Sequence, residues 1–102
     1  MSVSSEFSET ENALKIKIDG RFGYELHQDF TSCYKHLPQA AAKKFIIDLS
    51  RASYIDSAAL GMLLVLRERV GGDRSDITLT GANREIEKVL DITNFEKLFK
   101  VK

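Results

Sequence analysis

The segment Lys44-Phe45-Ile46-Ile47-Asp48-Leu49 constrains what this chain can fold into more than any other stretch. Its aromatic and β-branched residues run between charged ends without alternating, the pattern of a strand buried on both faces. Such a strand needs helices packed over it, and good helix formers follow from Ser57 to Val70. Leu60, Leu63, Leu64, Leu66 and Val70 are the core candidates of that helix, and Gly71-Gly72 terminates it.

The flanking segments repeat the strand and helix signals. Leu14-Lys15-Ile16-Lys17-Ile18 alternates strictly, which predicts a half-buried strand ended by Asp19-Gly20. Val3 to Phe7 is a candidate short first strand against it, with the turn near Glu11-Asn12; residues 1–6 otherwise read as a flexible N-terminal tail. After Arg21-Phe22-Gly23, the residues Tyr24, Leu26, Phe30, Cys33, Tyr34 and Leu37 recur at intervals that suit one helical face, with Pro38 marking its end. Asp76 to Gly81 alternates and predicts a further strand. Asn83 to Leu90 predicts a third helix with Asn83 as N-cap, and Phe95, Leu98 and Phe99 suggest a short last one. The expected fold class is α/β. It has a single mixed, mostly parallel sheet of four to five strands, about four helices, and one domain over residues 1–102.

Length and charge narrow the function classes. A chain of 102 residues holds one core. Fifteen basic against fifteen acidic side chains argue against a nucleic-acid binder or an anionic membrane surface as partner. The start is Ser- and Glu-rich without a signal-peptide pattern, and Leu60 to Leu66 falls far short of the roughly 20 apolar residues a membrane span needs. One cysteine, Cys33, makes no internal disulfide, so a cytoplasmic location is expected.

Enzyme signatures are weak. His27 and His36 are nine residues apart on the first helix, and nine steps of about 100° put them on opposite faces, so no shared metal is expected. Gly71-Gly72-Asp73-Arg74-Ser75 lacks the lysine and spacing of a phosphate-binding loop. Asp48 and Asp56 flank one connection but make a poor acid/base pair. Cys33 reads as a small core residue. No cofactor and no catalytic residue are expected.

The informative stretch is Tyr54-Ile55-Asp56-Ser57-Ala58-Ala59-Leu60-Gly61-Met62-Leu63-Leu64, where a buried strand ends and a hydroxyl stands at the start of a helix. The plain structural reading makes Asp56 or Ser57 the N-cap of that helix. The functional reading makes the hydroxyl reachable by a kinase, because Ala58 and Ala59 keep the surface beside it low. A phosphate there would meet a helix N-terminus, which tolerates negative charge, and would add about −1.5 to −2 charges beside Asp56.

Several of these segments together resemble the STAS domains of the anti-sigma factor antagonist family, the partner-switching phosphoproteins of bacteria. The resemblance is carried by Ile46-Ile47-Asp48-Leu49-Ser50, Tyr54-Ile55-Asp56-Ser57 and Leu60-Gly61 in the centre. Val89-Leu90, Thr93 and Lys97-Leu98-Phe99 carry it at the end, and the order and spacing of Leu14 to Tyr24 agree. The family often has glycine two positions after its phosphorylated serine; Ala59 stands there here and suits a helix's first turn. The resemblance implies a binding switch, with Ser57 as phosphoacceptor and Asp56 as its acidic neighbour. Ser53, Tyr54, Ile55, Asp56, Ala58, Ala59, Leu60, Gly61 and Met62 would form the docking face, with Arg21, Phe22, Gly23 and Tyr24 alongside. The implied partners are an anti-sigma factor or serine kinase with a histidine-kinase-like ATPase fold, and a PP2C-type serine phosphatase, in some cases part of a response regulator. Three other readings stay open. These are a permanent scaffold or subunit, for example of a lipid-transport complex, a small-ligand or nucleotide-binding module, and an enzyme using Ser57 as nucleophile.

Overall fold

The computed structural model describes residues 2–35 and 43–102. In chain order the elements are β1 (Ser2–Ser8), β2 (Ala13–Phe22), a 3-10 turn at Tyr24–Leu26, α1 (His27–Lys35), β3 (Lys44–Ile55) and α2 (Ser57–Arg69). A 3-10 turn at Gly72–Arg74, β4 (Ile77–Thr80), α3 (Arg84–Ile92), a 3-10 turn at Phe95–Lys97 and β5 (Lys100–Val101) complete them. His36, Leu37 and Pro38, expected at the end of the first helix, lie outside the described residues.

The five strands form one sheet in sequence order, with β1 antiparallel to β2 and every later pair parallel. Sequential order has a consequence. Crossovers of one hand that always step to the next strand deliver every helix to the same face of the sheet. One core cluster accordingly joins Ile16 and Ile18 of β2, Ile47 and Leu49 of β3 and Leu79 of β4 to Phe30 of α1, Leu63 and Leu66 of α2 and Leu90 of α3. The opposite face carries Lys15, Lys17, Ile46, Asp48, Thr78 and Thr80, each half-buried or exposed. β3 is therefore fully buried on one face only. Its unbroken apolar run suggested two because Ile46 is apolar and Asp48 is largely covered, with Lys15 Nζ 3.8 Å from its carboxylate.

Three further expectations are corrected. Residues 2–6 are not a tail: β1 pairs along its whole length with β2, from Ser2 against Asp19 to Ser8 against Ala13, and places Val3 and Phe7 on the core side. The candidate strand over Val3 to Phe7 is borne out and runs longer than expected, because β2 supplies hydrogen bonds to the whole serine-rich start. The segment after Asn94 is not an α-helix. Asn94 adopts a left-handed conformation (φ 59°), Phe95 and Phe99 stack with centroids 5.3 Å apart, and the chain then pairs with β4. Those two rings sit four residues apart as a helix would place them, which is why their spacing misleads. Leu64 is not a core residue; it is 38% exposed, while Ala59, Met62, Leu63 and Leu66 fill the inner face of α2.

Candidate functional site

Parallel strands end on a common edge, and here β2 and β3 deliver their exit loops to it together. β3 reaches this edge with two more residues than β2 spends on the same distance. Lys17 and Asp19 stand opposite Asp48 and Arg51, then Gly20 and Arg21 stand opposite Ala52 and Tyr54. Each register shift turns an extra residue outward, so Ser50-Arg51 and Ser53-Tyr54 appear as exposed pairs between buried Leu49, Ala52 and Ile55. The first shift is fixed by Asp48, whose Oδ1 accepts the Ser50 amide at 2.9 Å. Hydrogen bonds from the Ser50 side chain and amide hold the Asp48 carboxyl below its ordinary range.

The pairing register brings the expected loops side by side. Phe22 stands opposite Ile55, and the Asp56 amide donates to the Phe22 carbonyl at 3.2 Å. Gly23 is extended (φ −146°), so its backbone would suit any residue. Space is what favours glycine: a Cβ there would lie 2.6 Å from Asp56 Oδ2 and 3.1 Å from Glu25 Oε2, so those carboxylates would have to shift. Asp56 is the N-cap of α2, its Oδ1 accepting the Ala59 amide at 2.9 Å while its carbonyl accepts the Leu60 amide at 3.1 Å. One carboxylate thus caps the helix with one oxygen and rests against the neighbouring loop with the other. Ser57 is the first helical residue and is exposed. Of the two cap candidates the structure selects Asp56, which leaves the Ser57 hydroxyl out of the capping role.

Around Ser57 the edge is aromatic and charged. The Arg21 guanidinium lies over the Tyr54 ring, 4.8 Å from its centroid. Tyr24, 73% exposed, stacks on His27 at 6.1 Å between centroids. A third loop closes the far side: Asn83 caps α3 by accepting the Ile86 amide at 2.9 Å, and its Nδ2 donates to the Ala52 carbonyl at 3.4 Å.

Not every expected docking residue is reachable. Arg21, Tyr24, Ser53, Tyr54 and Ser57 are exposed; Asp56, Ala58, Leu60 and Gly61 are half-buried. Phe22, Gly23, Ile55, Ala59 and Met62 are buried and shape the edge from beneath. Asp48 and Asp56 serve different partners and form no acid/base pair: one holds Ser50, the other Ala59. Glu25 was missed because its place beside Asp56 depends on loops that only the β2–β3 register brings together. Among the described residues, no three His, Cys, Asp or Glu side chains gather closely enough to hold a metal ion, and no helix is long and apolar enough to cross a membrane.

This combination of fold and edge belongs to a known family. The family described as Mlab, STAS domain matches residues 5–101, and the chain is a member of the STAS family. It is 41% identical over 101 residues to a STAS-domain containing protein of Pseudomonas aeruginosa (strain UCBPP-PA14), covering 99% of each chain. Among solved structures it resembles a candidate anti-sigma factor antagonist from Thermotoga maritima, with a TM-score of 0.81 and 18% identity over 96% of this chain and 83% of that one. It also resembles the anti-sigma factor antagonist SpoIIAA in its unphosphorylated form, with a TM-score of 0.70 and 16% identity over 99% of this chain and 87% of that one. The same Bacillus cell fate determinant in its phosphorylated form matches with a TM-score of 0.68 and 15% identity, over 99% of this chain and 91% of that one. The five-stranded mixed sheet with three α-helices is the SpoIIAA-like fold of anti-sigma factor antagonists.

Proposed function

We propose that this chain is a partner-switching signalling protein. Its unphosphorylated form binds an anti-sigma factor or a serine kinase with a histidine-kinase-like ATPase fold. Phosphorylation of Ser57 ends that binding, and a PP2C-type phosphatase, alone or within a response regulator, restores it. One observation carries the reading: Asp56 caps α2, so the adjacent Ser57 hydroxyl is exposed and uncommitted at the first helical position. A kinase can modify it without removing a bond that the fold uses. That a solved relative of the same fold exists in both unphosphorylated and phosphorylated forms supports the reading.

The physical effect of the phosphate is local. It joins Asp56 and Glu25 on an edge where Arg21 is already engaged over Tyr54. Under a docked partner the new charge loses water without gaining a dedicated cation, a penalty of roughly 3–5 kcal/mol, or two to four decades in affinity. The domain itself need not rearrange, because the α2 N-terminus accommodates negative charge.

The test is intact-mass measurement after incubation with ATP and a serine kinase of this class purified from the chain's native cells. One phosphate is expected on the native protein and none on Ser57→Ala. Modification elsewhere, or none on the native chain, would refute the proposal and favour a permanent subunit.

A further inference from the structure

We infer that the outer edge of β1 binds a second copy of this chain, strand against strand, in a two-fold dimer that joins the two sheets into one. β1 ends the sheet on its side, and among the described residues nothing pairs with it beyond β2. The backbone groups it leaves open follow from the register. The Lys44 amide donates to the Asn12 carbonyl at 3.2 Å, so even-numbered residues of β2 turn their backbone groups toward β3 and odd-numbered ones toward β1. Ala13, Lys15 and Lys17 therefore bond to Ser8, Glu6 and Ser4. The N–H and C=O groups of Val3, Ser5 and Phe7 point outward with no partner in the sheet.

Sheets ordinarily protect such an edge with lysine, proline, a bulge or a very short strand. The opposite edge follows that rule, since β5 is only Lys100 and Val101. β1 does not: its seven residues hold no lysine or proline and pair with β2 without a register shift. Open main-chain groups of this kind take up an extended strand. The residue order of β1 then selects which strand. Set antiparallel to itself about Ser5, it places Val3 against Phe7, Ser5 against Ser5, Ser4 against Glu6 and Ser2 against Ser8. Every open group of Val3, Ser5 and Phe7 is then bonded, Val3 and Phe7 cover each other on the helix face, and no like charges oppose. Sliding by two residues is the next step that aligns the open groups. In one direction it sets Glu6 against Glu6, and in the other it leaves Phe7 facing no residue of β1.

The helix layer fits the same arrangement. Ser5 lies within hydrogen-bond reach of the Cys33 thiol of α1, and α1 packs over β1 and β2. With strands about 4.8 Å apart, an axis beside Ser5 brings the two α1 helices to about 10 Å, a helix-packing distance. Seven strand residues and one helix flank from each copy make a small contact, so the dimer belongs to the weak, reversible class. The axis stands perpendicular to the sheet, so β2 and β3 of the two copies run in opposite directions. Their Ser57 edges then lie at opposite ends of the dimer, each free for its own partner, and dimer formation does not depend on the Ser57 reading.

Sedimentation equilibrium between about 1 μM and 1 mM should show the native chain rising from the mass of one chain toward that of two. An edge strand tolerates proline where the missing N–H faces outward, so Ser5→Pro should keep the ladder to β2 and weaken dimerisation at least tenfold. Should that variant fail to fold, Ser5→Lys carries the test: it sets two ammonium groups across the axis and should weaken dimerisation similarly at the native thermal midpoint. A cross-link reads the register. In a Cys33→Ser background, Ser5→Cys should join two chains under diamide, which takes two electrons and two protons from the paired thiols. Directly opposed Cα atoms there lie about 5.5 Å apart, within disulfide reach. Ser4→Cys, opposite Glu6, should stay unlinked. A native chain that stays monomeric throughout that range, a dimer that Ser5→Lys leaves intact, or linkage through Ser4→Cys in place of Ser5→Cys would overturn the inference. If no dimer forms and Ser5→Lys instead abolishes capture of a different protein, that protein's strand occupies the edge and the second copy is wrong. Ser5→Lys should still take one phosphate at Ser57, so loss of the dimer leaves that reading standing.

Discussion

Replacing Gly23 with alanine probes whether the site is held together by one carboxylate. The new Cβ would stand 2.6 Å from Asp56 Oδ2, too close for any real contact, and 3.1 Å from Glu25 Oε2. Glu25 is exposed and can swing away. Asp56 cannot move as freely, because its other oxygen caps the Ala59 amide at 2.9 Å. Displacing it loses an N-cap worth about 1 kcal/mol. Against this, alanine restricts the unfolded chain and returns about 0.5 kcal/mol, since the extended backbone at Gly23 suits it. Gly23→Ala should therefore cost about 0.5 kcal/mol in the native chain. In an Asp56→Ala background, with the obstacle gone, it should stabilise by about 0.5 kcal/mol. The coupling is about 1 kcal/mol, which urea denaturation reads as a difference of ~0.7 M in midpoint for a slope near 1.5 kcal/mol/M. Additivity of the two substitutions within about 0.3 kcal/mol would refute the argument.

Two further outcomes follow from ionisable groups. The Asp48 carboxyl is held low chiefly by Ser50, so its contribution is present above the unfolded carboxyl range, near pH 4, and is lost as pH falls through its lower folded value. Asp48→Asn should cost about 1 kcal/mol at pH 7 and nothing near pH 2, measured by denaturant titration at both pH values. Cys33 has its thiol pushed up by burial, with the Asp29 charge adding to it and a Ser5 hydrogen bond opposing, and its Sγ donates to the Asp29 carbonyl at 3.2 Å. Iodoacetamide at pH 8 should alkylate it about tenfold more slowly in the folded chain than in denaturant; equal rates would contradict its placement.

Much of this molecule was legible from residue order. The alternation at Leu14 to Ile18, the apolar run at Phe45 to Leu49 and the helix from Ser57 follow local rules that tertiary structure did not override. Asn83 was readable as a cap because the rule needs only its own helix. What escaped the sequence depends on pairing. The first strand was foreseen over Val3 to Phe7, but its extension to Ser2–Ser8 exists because β2 supplies its ladder, and the short edge strand after Phe99 exists because β4 supplies another. The clasp of Gly23 and Asp56 joins positions 33 residues apart through a register with two shifts, which no local pattern encodes. Pattern alone also assigned Leu64 inward and Ala59 to the docking surface; a helix on a one-sided core has a narrower buried stripe than its composition suggests.

The central claim is that a single charge at Ser57 decides binding, and the dissociation constant of the purified kinase partner tests it most directly. Titration calorimetry against this chain unmodified, and against the same chain carrying one phosphate at Ser57, should give constants separated by at least about a hundredfold, with the unmodified form tighter. Equal constants for the two forms, or tighter binding of the phosphorylated one, would contradict the account.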